Sequence, residues 1–322
     1  PGFVDLQVNG FAGVDFLAAD AAGYARAGDA LLATGVTAYV PTLVTAPEET
    51  LLEAIRSVPL GGDGPRVLGV HLEGPFLAPG RLGAHPPAFR RDPDPALLER
   101  LLAAGPVRLI TLAPELPGGL DLVRLARRRG VAVSLGHSDA TADQAHAAFD
   151  LGAVAVTHLF NAMRPFHHRE PGLAGAALSR PDVIVQLIVD GVHLAKDTVR
   201  LVWGLAAGRV ALVTDATALA GQGGSGATLG GAPIEAREGA PRRPGGVLAG
   251  SMLTMAEAVR ALHALGAPLA EALEAASLVP ARVLGAGELG RLDVGLPGDI
   301  VVLDDRLEVR RVLVGGRIRV EA

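Results

Sequence analysis

The stretch VAVSLGHSDATADQAHAAFDLGAVAVTH, residues 131–158, decides the fold. It opens with a short run, Val131 to Leu135, that is apolar but for Ser134, and it closes on a second such run, Ala153 to Thr157. Between them, Ala142 to Leu151 places apolar residues at three- and four-residue spacing. A run without polar alternation suits a strand buried on both faces, and the intervening spacing suits a helix with one apolar side. A histidine follows each strand candidate, His137 after the first and His158 after the second.

Six more runs of the same kind lie to either side: Phe3 to Val8, Thr37 to Thr42, Val67 to Leu72, Arg108 to Leu112, Val183 to Val189 and Val210 to Thr214. Helical patterns at Ala21 to Ala33, Pro47 to Ser57, Pro95 to Ala104 and Leu120 to Arg129 separate several of them. Strand and helix in alternation give a parallel α/β fold. A doubly wound open sheet shares that order. Eight units in a row, six of them ending in Glu73, Glu115, His137, His158, His193 or Asp215, favour closure into a (β/α)8 TIM-type barrel, whose active sites sit at the carboxyl ends of the strands. The segment from Leu159 to Arg180, rich in Gly, Pro and His, reads as a long functional loop where a helix would be expected.

Beyond the eighth run the pattern changes. Gly221 to Gly246 is glycine-rich with a hairpin pattern, and short helices are expected near Ser251 to Leu265, Leu269 to Ala276 and Pro280 to Leu284. From Leu289 to Val320 short strands alternate with turns, so the chain divides into a barrel over 1–288 and the C-terminal strands of a small β appendage over 289–322. Such a tail is too small to fold alone and must pack on something. The chain opens at Pro1, already inside the first strand, which leads us to expect an upstream segment that pairs with those C-terminal strands.

Composition narrows the chemistry. With 322 residues, 49% of them apolar, the chain can bury a large core. A net charge of -5 and no basic stripe argue against nucleic acid as a partner, and no run is long enough to cross a bilayer. Absence of cysteine excludes disulfides, thiolate metal sites and cysteine nucleophiles. Of the 29 basic side chains only Lys196 is a lysine, which leaves one candidate for Schiff-base chemistry.

Glu73, His137 and His158 make a three-donor set with room for water, the composition of a catalytic zinc or iron site. Any one of them alone could simply cap its strand by bonding to local backbone. Asp215, in Leu212-Val213-Thr214-Asp215-Ala216, sits across a closed barrel and can take a proton from a water that the cation has acidified; an Asx-turn or helix cap is the plainer alternative. The stretch 221–226 matches G-x-G-x-x-G but neither follows a strand nor opens a helix, so a connection is the better reading. His71-Leu72-Glu73 has the H-x-E of nucleobase deaminases without the C-x-x-C they need. By strand alternation His71 shares the Glu73 face one layer down. His146 and His263 read as structural, and His167 and His168 as loop residues.

Seven segments in order carry a resemblance: Pro1 to Gly10, His71-Leu72-Glu73-Gly74-Pro75-Phe76, Gly136-His137-Ser138-Asp139-Ala140, Thr157 to Met163, Arg169-Glu170-Pro171-Gly172, Asp190-Gly191-Val192-His193 and Leu248-Ala249-Gly250-Ser251. Together they resemble the N-acetylglucosamine-6-phosphate deacetylase family of the amidohydrolase superfamily. The resemblance implies that Glu73, His137 and His158 bind the catalytic metal and that Asp215 is the acid/base. It implies that His193 and Arg169 grip the sugar phosphate, the arginine reaching in from a neighbouring subunit of a cytoplasmic homodimer. It places Asn161 and Ala162 in a turn at the phosphate and His85, from Gly83-Ala84-His85-Pro86, beside the acetyl carbonyl. An arginine fork with an imidazole donor is a sensible clamp for a phosphate dianion, although Arg169 would otherwise read as a surface ion pair, His193 as a rim histidine and His85 as solvent-facing. Many amidohydrolases hold a second metal with His-x-His at the first strand end, where this chain has Gln7 and Asn9. Amides are poor transition-metal ligands, so one divalent ion per subunit, zinc or ferrous iron, is expected. A different amidohydrolase, such as a cyclic amidase or aminohydrolase, or a catalytically silent sugar-phosphate-binding barrel are the competing readings.

Overall fold

The computed structural model describes residues 1–61, 64–222, 224 and 226–321. Eight parallel strands follow one another around a barrel: β1 (Phe3–Val8), β2 (Val36–Val44), β3 (Val70–Glu73), β4 (Val107–Leu112), β5 (Ala132–Leu135), β6 (Ala155–Val156), β7 (Ile184–Leu187) and β8 (Val210–Leu212). They pair in that order, and a parallel bridge from Val8 to Ala216, with Asp215 N–H donating to the Gln7 carbonyl at 2.9 Å, brings the last strand back to the first. Among the described residues of β2, β3, β5 and β8 every position is buried, which is why these runs lack polar alternation.

Helices cover the outside: α1 (Ala21–Ala33), α2 (Glu48–Ser57), α3 (Pro95–Ala104), α4 (Gly119–Arg128), α5 (Ala142–Asp150), α6 (Gly172–Ser179) and α7 (Lys196–Ala206). Their starts are written in the sequence. Asp20 accepts from Gly23 N–H to cap α1, Asp94 caps α3 just before Pro95, and Thr141 and Gln144 form a reciprocal capping box on α5.

Two expectations need correction. The Leu159 to Arg180 segment is irregular only as far as Pro171, since α6 occupies its end; two glycines and three alanines in eight residues hid the helix and let it lie close against α5. The run Val67 to Leu72 is also not one strand. Arg66–Val67 pairs with β2 by itself and β3 starts at Val70, because Gly69 turns the chain at φ +131°, where a Cβ would meet the Pro106 carbonyl oxygen at 2.4 Å.

After the barrel come a three-stranded antiparallel sheet, β9 (Gly226–Leu229), β10 (Ala232–Arg237) and β11 (Ala240–Arg242), and three helices, α8 (Met255–Ala264), α9 (Leu269–Ala275) and α10 (Leu278–Val283). The glycine-rich stretch thus holds one strand more than a hairpin. In the G-x-G-x-x-G stretch, Gly223 and Ser225 lie outside the described residues. The chain ends in a second antiparallel sheet, β12 (Ile300–Leu303), β13 (Val309–Val314) and β14 (Arg317–Glu321), tied to the barrel by Arg66 on Asp299 at 2.7 Å and by Gly2 N–H on the Asp299 carbonyl at 2.8 Å. No helix among the described residues is long and apolar enough to cross a membrane.

Candidate active site

At the carboxyl ends of the strands lies a cavity of about 300 Å³, lined by Glu73, His85, His137, His158, His193 and Asp215 among others. Volumes near this size are at the small end for sites that take a metabolite. The chain enters it under strain. His137, His158 and Asp215 each follow a strand with φ of 48°, 30° and 49°, in the left-handed region that non-glycine residues seldom occupy. Such backbone persists where surrounding structure over-determines it, and it turns all three side chains inward from the strand ends.

Three donor atoms converge. Glu73 Oε1 lies 3.2 Å from His137 Nε2 and 3.0 Å from His158 Nε2, and the two imidazole nitrogens are 3.1 Å apart. The Arg81 carbonyl, 2.8 Å from His137 Nδ1, can only accept, so a neutral His137 ring carries its proton there and presents a bare lone pair at Nε2. That lone pair faces a carboxylate oxygen and a second ring nitrogen. A cation reconciles them, and nitrogen and oxygen donors ~2.1 Å from a tetrahedral ion stand about 3.4 Å apart, close to the spacing seen. Among the described residues this is the one group of three acids or histidines with such convergence. Burial alone would raise the Glu73 carboxyl, but bonds from His137, His158 and His85 hold it well below its usual range.

His85 is buried here and does not face solvent. Its Nε2 stands 3.4 Å from Glu73 Oε2, its ring packs edge-on against His137 at 4.6 Å, and Nδ1 sits 2.9 Å from Thr45 Oγ1. Burial, then the neighbouring His137, depress its pKa to about 4, so it is neutral at physiological pH. Arg243 braces the loop that carries it, donating to the Ala84 carbonyl at 3.0 and 3.2 Å.

Asp215 is buried in the cavity wall. Burial, then the Glu73 charge, push its carboxyl up to about 6, in the range of a base that works near neutrality. His193 lines the same cavity with Nδ1 fixed by Asp190 Oδ2 at 2.7 Å, which leaves Nε2 as its remaining ring nitrogen. Asn161 and Ala162 form part of the wall, the Asn161 amide donating to the His158 and Leu159 carbonyls. Glu115 departs from the strand-end pattern: its carboxylate turns away to bond Ser138 Oγ at 2.7 Å and Asp139 N–H at 2.5 Å, and it does not line the cavity. Arg169 is exposed on the loop before α6, outside the cavity of its own chain, with Nη1 2.8 Å from His168 Nε2.

Several supports were not legible as site residues. Thr45 and the Arg81 backbone fix two histidines, Asp190 orients a third, and the Gln7 amide donates to Glu73 Oε1 at 2.9 Å. His71 does sit one layer down, between Thr42 Oγ1 at 3.1 Å and Thr111 Oγ1 at 2.8 Å, and burial lowers it to about 4. His263 bonds the Ala267 carbonyl beyond α8 and is structural, and His146 lies against Phe149 on α5.

Residues 1–319 match the Amidohydrolase family. The chain belongs to that family. Within it, the chain groups with N-acetylglucosamine-6-phosphate deacetylases: it is 41% identical to the one from Homo sapiens over 337 residues, covering 99% of this chain and 82% of that one. An N-acetylgalactosamine-6-phosphate deacetylase from Escherichia coli is 39% identical over 331 residues, 99% of this amidohydrolase and 86% of the relative. A mutant N-acetyl-D-glucosamine-6-phosphate deacetylase from Mycobacterium smegmatis, solved in complex with N-acetyl-D-glucosamine-6-phosphate, superposes with a TM-score of 0.95 at 40% identity, covering 99% of this chain and 86% of that one. Amidohydrolases are metal-dependent, and in this member the Glu73, His137 and His158 cluster is the group that could hold the ion.

Proposed function

We propose that the chain hydrolyses the acetamide of N-acetylglucosamine 6-phosphate to glucosamine 6-phosphate and acetate, in amino-sugar catabolism in the cytoplasm. One observation carries the reading: a buried carboxylate with a raised pKa, Asp215, shares a cavity with a Glu-His-His donor cluster and with the phosphate-type donors of His193 and the Asn161–Ala162 turn.

Glu73, His137 and His158 would hold one divalent cation, zinc or ferrous iron. When bound, such an ion lowers the pKa of a water and polarises an amide carbonyl. Asp215 accepts the water proton, and the water oxygen bonds to the acetyl carbon. Asp215 then gives that proton to the amide nitrogen as the C–N bond breaks, releasing acetate and the amine. His85, neutral and held by Thr45 at Nδ1, keeps Nε2 beside Glu73 in the same cavity, from where it would donate to the acetyl carbonyl. His193 binds the phosphate, and Arg169 of a second copy completes the clamp in a homodimer. Support for the shared arginine is its position, exposed and outside its own cavity, on the loop that also carries the exposed Phe166.

Acetate release should be compared on N-acetylglucosamine 6-phosphate, its C4 epimer N-acetylgalactosamine 6-phosphate, unphosphorylated N-acetylglucosamine and a cyclic amide. The first should be the best substrate, and loss of the phosphate should lower kcat/KM by ~100-fold or more, the worth of a charge-assisted clamp at about 3 kcal/mol. Equal turnover with and without phosphate, or preference for the cyclic amide, would point to another amidohydrolase reaction. No acetate from any of them by the metal-loaded protein would leave a silent binding barrel.

A further inference from the structure

Asn9 lies just beyond β1, and its backbone is fixed on both sides: its N–H donates to the Ala216 carbonyl at 2.8 Å and its carbonyl accepts from Phe16 N–H at 3.0 Å. Its side chain is 3% exposed and lines the cavity. Asn9 Nδ2 donates to Asp215 Oδ1 at 2.7 Å, and among the described residues this is the one hydrogen bond the Asp215 carboxyl receives. The Asp215 backbone is pinned separately, by Gln7 through its N–H and by Ser251 through its carbonyl at 2.8 Å. What those backbone bonds leave free is rotation of the carboxyl group itself. Gly250 makes room for the contact, since a Cβ there would meet the Asp215 carbonyl oxygen at 2.6 Å and approach Asn9 Nδ2 at 3.5 Å.

We infer that Asn9 is a positioning residue for the proton transfer, holding Asp215 Oδ1 so that Oδ2 alone exchanges protons with the reacting groups. This rests on the deacetylase reading for the proton's destination, while the contact itself does not. The amide suits the task chemically. It donates to Oδ1 when Asp215 is ionised, and it still donates to the same atom, then a carbonyl-type oxygen, once Oδ2 has taken the water proton. Orientation therefore persists while Oδ2 gives that proton to the departing nitrogen. A basic side chain in the same place would hold the ionised acid as well, but would oppose its protonation. Gln7, two residues earlier on the same face of β1, makes the equivalent contact to Glu73 Oε1, so one strand end supplies an amide N–H to each of two functional carboxylates.

The test is a double-mutant cycle on the metal-loaded enzyme, with Asn9→Leu and Asn9→Ala made in the native chain and in Asp215→Asn. The expected result is a kcat loss of roughly 10- to 100-fold in the native background, the usual size for a partner that orients a functional group. KM and metal content should stay within about twofold, and the Asp215→Asn background should show no further loss. Crystal structures of both Asn9 variants should show the Asp215 carboxyl rotated or in two orientations. Equal losses in both backgrounds, loss of the ion, or an Asp215 carboxyl unmoved in both variants would overturn the inference. If the native enzyme releases no acetate from any acetylated sugar phosphate, the deacetylase reading falls, and the Asp215 orientation in the two crystal structures still decides the role of Asn9.

Discussion

Asp5 offers a stability prediction whose sign and size come from its surroundings. It lies on β1 and is wholly buried, with Oδ2 accepting from Thr214 Oγ1 at 2.6 Å and Oδ1 accepting from Gln7 N–H at 3.2 Å and Thr214 N–H at 3.3 Å. Burial pushes its carboxyl up from 3.8 to about 7, against the pull of those bonds and with a smaller push from Asp215. A folded-state pKa raised above the unfolded one gives stability that is fully present below pH ~4 and is lost as pH rises through about 7. At ~1.4 kcal/mol for each pH unit, the window from pH 5 to 8 should cost the native chain nearly 3 kcal/mol from this group alone. Asp5→Asn removes the titration without removing the bonds. The Asn Oδ1 can keep both backbone donors, and its amide can donate to Thr214 Oγ1 while that hydroxyl turns to the Gln7 carbonyl, 3.3 Å away. Urea unfolding of both proteins at pH 5 and pH 8 should therefore show Asp5→Asn gaining on the native chain by about 3 kcal/mol at the higher pH. A difference that stays constant between the two pH values would refute this placement of the Asp5 charge.

Asp215→Asn should retain its metal and lose at least ~100-fold in kcat, the lower range for removal of a general acid or base. In the native enzyme kcat/KM should fall as pH drops through about 6, because Asp215 must be ionised to accept a proton, and that acid limb should be absent from the residual activity of the variant. Arg169→Ala should raise KM for the 6-phosphate substrate while leaving turnover of the unphosphorylated sugar unchanged; mixing it with a His193→Ala chain should restore part of the lost activity at low concentrations of the 6-phosphate substrate if the arginine crosses between subunits, and none if it does not. Gly69→Ala forces a Cβ to within 2.4 Å of a backbone carbonyl at a positive φ, so thermal unfolding should report a loss of more than ~2 kcal/mol, and an unchanged Tm would contradict that geometry.

The barrel was legible because its strands are buried on both faces and its helices are capped by their own side chains. Ala21–Ala33 and Pro95–Ala104 match their periodic patterns from end to end, with Asp20 and Asp94 marking where each begins. What escaped was set by geometry that residue type does not encode. Gly69 divides an apolar run that reads as continuous, and α6 is built of residues that suit a loop as readily as a close-packed helix. In the site, Glu73, His137, His158 and Asp215 were readable from their strand-end positions. Glu115 occupies the same kind of position and faces elsewhere, since the Asp139 N–H and the Ser138 hydroxyl capture its carboxylate. Arg81 acts through its carbonyl, which every residue possesses, and Asn9 meets Asp215 across 206 residues of chain; neither contact leaves a local pattern.

Catalysis as proposed requires Glu73, His137 and His158 to share one cation. Metal analysis of the purified enzyme before and after His137→Ala and His158→Ala, with acetate release from N-acetylglucosamine 6-phosphate followed on the same samples, tests this most directly. One equivalent of zinc or iron per chain, falling to near zero together with activity in either variant, is the predicted result. Full activity in a chelated, metal-free sample, or an undiminished metal content in both variants, would contradict it.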